Sequence, residues 1–244
     1  MDVSIEVTDL TLSTADGPMR AYSARPGGGV AARGAVVVIQ EAFGVNDHIE
    51  DVTRRFATAG YHAVAPALFH RAGGGTASYD DFSKVLPLFE GMTDDGIVMD
   101  VDAAMAHLEG EGWAVGQIGL VGFCMGGRVS FLAAVRRQFG ASVGFYGGGI
   151  VTSRIPLFSP IVGEVANLAT PWLGLFGDLD KGIPVEDVEA LRAALDEHAV
   201  VDHEIVRYPD ADHGFHCDAR ASYHPSSAAD AWTRALAWFD RHLA

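Results

Sequence analysis

Apolar and polar positions divide the chain into alternating strands and helices. Residues 3–12 alternate between the two kinds of side chain, and an Asp16-Gly17 turn separates them from residues 19–24. This pattern predicts an antiparallel hairpin at a sheet edge. Residues 35–39 are all apolar and mostly β-branched, which is typical of a parallel strand buried on both faces.

The order of strand and then helix repeats to the end of the chain. Further strands are predicted at residues 61–65, 118–122, 142–146, 171–176 and 204–208. Three helices are predicted to start near Asn46 or Asp47, at Met125 and at Pro184. Another helix is predicted to carry the apolar face from Ile97 to Leu108. The last helix is predicted to bury Trp232, Leu236, Phe239 and Leu243. Residues 66–80 are expected to form a loop near the strand ends. The pattern predicts an α/β fold in one domain over residues 1–244, with a mostly parallel central sheet and helices on both faces.

Composition and charge limit the classes of protein to which the chain can belong. Of the 244 residues, 49% are apolar and 20% are charged, as in a compact globular domain. The formal net charge of −15 opposes binding to nucleic acid and to anionic membranes. The chain has no recognisable signal peptide or membrane-spanning run, so we expect a cytoplasmic protein, either a monomer or a small homo-oligomer.

The segment Gly122-Phe123-Cys124-Met125-Gly126-Gly127 carries the main indication of chemistry. It joins a predicted strand to a predicted helix, the setting in which Gly-x-nucleophile-x-Gly forms a sharp turn. Glycines leave room where the two backbones approach, and the turn exposes Cys124 at a helix N-terminus, which favours a thiolate. The alternative is an inert buried cysteine beside a tight turn. The strand and helix around the segment favour a nucleophile.

A thiol nucleophile requires a base and an acid that orients the base. In an α/β-hydrolase these groups follow the chain order nucleophile, acid, histidine. His213 lies in a turn-rich loop after the last predicted strand, where its ring can reach the carboxyl ends of the strands, although a passive loop histidine is the alternative. Asp178 and Asp180 both follow the strand at residues 171–176, and either can be the acid, a turn residue or a helix cap.

Three segments of the chain, taken together and in their order, resemble those of a known family. They are Gln40-Glu41-Ala42-Phe43-Gly44-Val45-Asn46, the cysteine segment described above, and Asp212-His213-Gly214-Phe215. Together they resemble the dienelactone hydrolase (carboxymethylenebutenolidase) family of α/β-hydrolases, and the resemblance extends over nearly the whole chain. It implies the α/β-hydrolase fold, Cys124 as nucleophile, His213 as base and Asp180 as acid, with no cofactor and no metal.

Glu41 and two backbone N–H groups gain expected roles from the same resemblance. A carboxylate that follows a buried apolar strand must find hydrogen bonds, although a passive glutamate at a strand end is the alternative. The resemblance implies that Glu41 contacts the resting thiol and helps to govern its activation. The N–H groups of Ala42 and Met125 are expected to form the oxyanion hole.

The expected reaction is attack of the thiolate on a small ester or lactone, followed by hydrolysis of a thioester. We expect Phe43, Tyr146 and Phe215 to line the substrate pocket. Members of the family that are specific for dienelactone bind a substrate carboxylate with arginines, one of them four residues after the histidine. Here that position is Cys217, so Arg71 and Arg220 are the nearby replacements, and the residues do not predict dienelactone itself as the substrate.

Other interpretations remain open from the sequence alone. The same triad can serve a thioesterase or another acyl hydrolase, and a hydrolase scaffold can belong to a non-catalytic binding protein. His213, His216 and Cys217 could bind a metal together with His70 or His224, but a metal on His213 would remove the base that Cys124 needs. Oxidation could also join Cys217 to Cys124 if the two lie close together.

Overall fold

The computed structural model describes residues 4–155 and 157–243 of the chain. Within these ranges, eight strands form one sheet in the order β1-β2-β4-β3-β5-β6-β7-β8. The strands are β1 (Ile5–Thr14), β2 (Gly17–Pro26), β3 (Ala35–Ile39), β4 (His62–Pro66), β5 (Ile118–Phe123), β6 (Ala141–Phe145), β7 (Trp172–Gly177) and β8 (His203–Tyr208). Val3, the expected start of the first strand, lies outside the described residues.

The sheet combines an antiparallel edge with a parallel centre. Strands β1 and β2 form the expected hairpin, in which Ile5 lies opposite Pro26 and Thr14 opposite Gly17. Strand β2 then pairs antiparallel with β4, and the remaining neighbours are parallel. Every residue of β3, β4, β5, β6 and β7 is buried, because helices cover both faces of a parallel sheet. The fold predicted from the sequence is confirmed.

Six α-helices accompany the sheet in the described part of the chain. They are α1 (Asp47–Thr58), α2 (Val85–Leu88), α3 (Asp94–Gly110), α4 (Met125–Arg136), α5 (Val185–His198) and α6 (Pro225–His242). Asn46 caps α1, since its side chain accepts a hydrogen bond from the Ile49 N–H. No helix in the described residues has an apolar stretch that could cross a membrane.

The buried face of α6 differs from the predicted stripe. Phe239 is fully buried, but Trp232, Leu236 and Leu243 are only partly buried. The other buried residues of the helix are Trp238 and four with small side chains, namely Ser227, Ala228, Ala231 and Ala235. The helix therefore packs close to the sheet, and the ring of Phe239 lies so near Gly119 of β5 that a side chain there would collide with it. The predicted stripe does pack against the core, with Phe239 inside it and Trp232, Leu236 and Leu243 at its margin. Small residues complete the buried face because the backbones approach closely.

The carboxyl ends of the parallel strands meet along one edge of the sheet. Glu41 follows β3, Cys124 follows β5, Asp180 follows β7 and His213 follows β8. Ligand sites in α/β proteins form at this edge, so the fold brings together side chains that are far apart in the sequence.

Candidate active site

Cys124 occupies the turn between β5 and α4 in a strained conformation. Its φ of 56° and ψ of −114° are unfavourable for a residue with a side chain. The turn is possible because its neighbours are glycines: a Cβ on Gly122 would overlap the carbonyl of Gly126, and a Cβ on Gly126 would overlap the carbonyl of Ile39. The geometry leaves the sulfur partly exposed at the N-terminus of α4.

His213 and Asp180 converge on this sulfur. The Nε2 atom of His213 lies 3.1 Å from Cys124 Sγ, and the Nδ1 atom lies 2.6 Å from Asp180 Oδ2. The other oxygen of Asp180 accepts hydrogen bonds from the N–H groups of Gly182 at 2.7 Å and Ile183 at 3.2 Å. Both carboxylate oxygens are therefore engaged, which fixes the imidazole relative to the thiol.

The charged form of the His213 imidazole is favoured in this setting. Burial alone would lower its pKa, but the neighbouring Cys124 sulfur and the Asp180 carboxylate outweigh burial and raise the pKa of His213 to about 10. An imidazolium with Nδ1–H held by Asp180 donates its Nε2–H to the sulfur. This arrangement can hold a thiolate next to a proton donor, as nucleophilic catalysis requires.

Asp178, the other acid considered from the sequence, points elsewhere. Its two oxygens accept hydrogen bonds from Arg207 at 2.8 Å each. The structure therefore brings Asp180 to His213 and leaves Asp178 in a surface ion pair.

Glu41 is fully buried beside the candidate triad. The hydroxyl of Tyr79 donates to it at 2.8 Å, and Arg220 Nη1 donates to it at 3.4 Å. Burial and the nearby Glu41 carboxylate raise the pKa of the Tyr79 phenol well above its usual range, so the phenol stays a donor. The structure pairs Glu41 with Tyr79 and Arg220, and among the described residues no hydrogen bond joins it to Cys124.

Ala42 and Met125 flank the sulfur and line the same cavity. The Met125 N–H is the first of helix α4, so it has no carbonyl partner within the helix. The role of the two N–H groups as an oxyanion hole stays a prediction.

The cavity over Cys124 has a volume of about 330 Å³, at the small end of the range for small-molecule sites. Phe43 lines it, as expected from the sequence, and Tyr79, Phe82, Phe89 and Phe158 supply further aromatic walls. His213 and Arg220 also line the cavity. The site is thus a mainly apolar cleft that the Cys124 thiol lines.

Three residues expected in the pocket lie outside it. Arg71 pairs with the fully buried Asp100 at 2.6 Å, because a buried carboxylate requires a partner. Tyr146 is fully buried, with its ring centre 5.2 Å from that of His213. Phe215 is fully buried against Tyr146 and Tyr208. The two rings pack behind the imidazole and do not line the cavity.

One wall of the cavity was not predicted from the sequence. It is lined by Gly148, Gly149, Thr152, Ser153, Arg154, Ile155 and Phe158. These residues follow β6, and because ligand sites form at the carboxyl ends of parallel strands, their position was the available signal. Arg128, which lines the cavity from α4, was not predicted either. A charged residue four positions after the cysteine, between small and apolar residues, was its signal.

The residues considered for a metal site are separated in the structure. His216 stacks between the rings of Phe123 and Trp232, and burial lowers its pKa to about 3. Cys217 is a buried free thiol, and burial followed by the Glu41 carboxylate raises its pKa to about 11. No group of three or more His, Cys, Asp or Glu side chains in the described ranges is arranged to hold a metal ion.

Known proteins resemble this chain over most of its length. The Dienelactone hydrolase family matches residues 19–243. A "Putative carboxymethylenebutenolidase" of Escherichia coli (strain K12) is 40% identical over 231 residues, which cover 92% of this chain and 83% of that protein. One of the same description from Synechocystis sp. is 36% identical over the full length of both chains.

Solved structures extend the comparison to the fold. The crystal structure titled "Putative Dienelactone Hydrolase" from Klebsiella pneumoniae is 36% identical, with a TM-score of 0.87, and the match covers 98% of this chain and 99% of that chain. A family match over most of the chain and relatives at this identity lead to one conclusion: the chain is a hydrolase that belongs to the dienelactone hydrolase family.

Proposed function

We propose that the protein hydrolyses a carboxylic ester or lactone through a thioester formed on Cys124. The observation that carries the proposal is the chain of contacts from Cys124 Sγ to His213 Nε2 at 3.1 Å and from His213 Nδ1 to Asp180 at 2.6 Å. This geometry suits a thiolate held next to an imidazolium.

In the first half of the reaction, the thiolate of Cys124 attacks the carbonyl carbon and forms a C–S bond. The N–H groups of Ala42 and Met125 stabilise the oxyanion, a contribution of about 2.7 to 4 kcal/mol for each donor. The C–O bond then breaks, and the Nε2–H of His213 protonates the leaving oxygen. In a lactone the alcohol stays attached to the acyl group, and in an ester it departs.

In the second half, the neutral imidazole of His213 removes a proton from water. The resulting hydroxide attacks the thioester carbon, the C–S bond breaks, and the acid product leaves. The thiolate and the imidazolium are thereby restored. Asp180 holds the ring orientation through both halves.

The test compares the wild type with Cys124→Ala and Cys217→Ala on p-nitrophenyl acetate and on dihydrocoumarin, an aromatic lactone. We expect Cys124→Ala to lose at least about 1,000-fold in kcat/KM, and Cys217→Ala, which removes a buried thiol outside the triad, to stay active. Mass spectrometry of the wild type during turnover should show one acyl group on the peptide containing Cys124. Equal rates in Cys124→Ala and the wild type would overturn the proposal.

A further inference from the structure

Most of the side chains that line the cavity are apolar. Phe43, Phe82, Phe89 and Phe158 contribute aromatic surface, and Ile155 and Ile183 contribute aliphatic surface. Phe82 is 58% exposed, which leaves one ring available at the mouth of the cavity. A substrate that fills this space must bury mainly apolar atoms.

The charge of Arg128 is fully used within the protein. The side chain is 2% exposed and binds both oxygens of Asp94 at 2.7 and 2.9 Å. Further donors of the side chain reach the carbonyls of Gly149 at 3.3 Å and Ser159 at 2.7 Å. Four of its five N–H donors are thereby engaged, and its charge is already paired with Asp94, so a substrate carboxylate would gain little from it.

The charge of Arg220 is likewise balanced by a buried partner. Glu41, which accepts its hydrogen bond, is fully buried. The guanidinium also lies over the rings of Phe43 and Tyr79, 5.8 and 5.6 Å from their centres. Moving Arg220 onto a substrate carboxylate would leave Glu41 as a buried charge without its cation, which is strongly unfavourable.

The remaining charges do not favour an anion. The candidate triad holds an imidazolium beside a sulfur and the Asp180 carboxylate, and Arg154 at the rim is the further cation that lines the cavity. The formal net charge of −15 repels anions at long range. Arg154 is exposed, so solvent screens its charge. With Arg128 and Arg220 paired to acids, the site has little net attraction for a negatively charged substrate.

We propose that the substrate is an uncharged ester or lactone that carries an aromatic group. The aromatic group lies against Phe82 and Phe158, and the carbonyl group of the ester or lactone lies over Cys124. The reaction itself rests on the proposed function, whereas the preference for an uncharged aromatic ligand can be measured by binding alone.

The first test uses phenyl butanoate and the monophenyl ester of succinic acid, which differ by a terminal methyl group in place of a carboxylate. We expect kcat/KM of the wild type to be at least about tenfold higher for phenyl butanoate. Cys124→Ala, measured by calorimetry, should bind phenyl butanoate at least about tenfold more tightly as well. Equal or better turnover and binding of the succinate ester would overturn the inference.

These two measurements separate the inference from the proposed function. Selective binding of phenyl butanoate by Cys124→Ala, with no turnover of either ester by the wild type, would support the substrate preference and contradict the proposed hydrolysis. Cysteine-dependent turnover that favours the succinate ester would support hydrolysis and overturn the preference.

A second test addresses the aromatic group with matched variants. Phe82 lines the cavity, and Leu86, four residues later and 63% exposed, is not among the lining residues. We expect Phe82→Ala to lower the ratio of kcat/KM for phenyl butanoate over ethyl butanoate by about five- to tenfold, and Leu86→Ala to leave this ratio unchanged. An equal ratio in Phe82→Ala and the wild type would contradict the placement of the ring.

Discussion

Asp178 and Asp180 follow the same strand two residues apart, yet their side chains have different partners. Asp180 is almost fully buried and binds His213, whereas Asp178 binds Arg207 at the surface. The difference follows from the turn after β7, in which Asp180 accepts hydrogen bonds from the N–H groups of Gly182 and Ile183. At the scale of single residues, the turn decides which acid meets the imidazole.

The first prediction compares Asp180→Asn with Asp178→Asn. The asparagine amide at position 180 would offer an N–H to Nδ1 of His213 and so favour the wrong tautomer. We expect kcat/KM for p-nitrophenyl acetate to fall by at least about 100-fold. Asp178→Asn, which breaks a partly exposed ion pair, should stay within about twofold of the wild type. Similar losses in both variants would contradict the assignment of the acid.

The second prediction concerns the pH dependence of activity. Because the pKa of His213 is raised to about 10, the imidazolium that protonates the leaving oxygen persists up to that pH. We therefore expect kcat/KM for an alkyl ester to fall as the pH rises through about 10. Asp180→Asn removes a contact that favours the imidazolium, so the fall should shift to lower pH. Measured pH profiles that coincide for the two proteins would rule this out.

At the scale of elements, the strand β5, the turn and the helix α4 act as one unit. The strained φ of Cys124 is tolerated because Gly122, Gly126 and Gly127 let three backbone segments approach closely. The exposed position of the sulfur therefore depends on residues that have no chemical role.

The third prediction tests this dependence with two glycines in helices. A Cβ at Gly126 would overlap the carbonyl oxygens of Ile39 and Gln40, whereas a Cβ at Gly110 in α3 would meet nothing within 4 Å. We expect Gly126→Ala to lower the free energy of unfolding by at least about 2 kcal/mol. Gly110→Ala should change stability by less than about 1 kcal/mol, and in the stabilising direction. Urea denaturation measures both, and equal stability of the two variants would refute the packing argument.

At the scale of the whole molecule, Arg128 joins three regions around the cavity. Its guanidinium connects α4 to Asp94 at the start of α3 and to the carbonyls of Gly149 and Ser159 in the wall that follows β6. The cavity wall is thereby tied to the helix that carries the candidate nucleophile.

The fourth prediction is that Arg128→Met lowers the free energy of unfolding by about 3 kcal/mol, because Asp94 loses its partner. The double variant Asp94→Asn/Arg128→Met should recover part of this loss, since no unpaired charge remains. Arg234→Met, which breaks an exposed pair with Asp230, should cost less than about 1 kcal/mol. Denaturation curves in which Arg128→Met and Arg234→Met lose the same stability would contradict the role of Arg128.

The sequence by itself determined the features that depend on near neighbours. Apolar runs specified the buried strands β3 and β5, and the glycines around Cys124 specified the sharp turn. Both features depend on steric limits within a few residues. The positions of the cysteine, the acid and the histidine after β5, β7 and β8 predicted that they meet at one edge of the sheet. The choice of Asp180 over Asp178 came from the resemblance to the family.

Only the tertiary structure decided the contacts between distant residues. Glu41 binds Tyr79, 38 residues away, and Arg220, 179 residues away, and Arg71 binds Asp100 instead of reaching the cavity. No local pattern specifies such pairs, because a buried charge takes whichever partner the packing of separate elements brings within reach. The walls and the charge balance of the cavity were therefore settled by the fold.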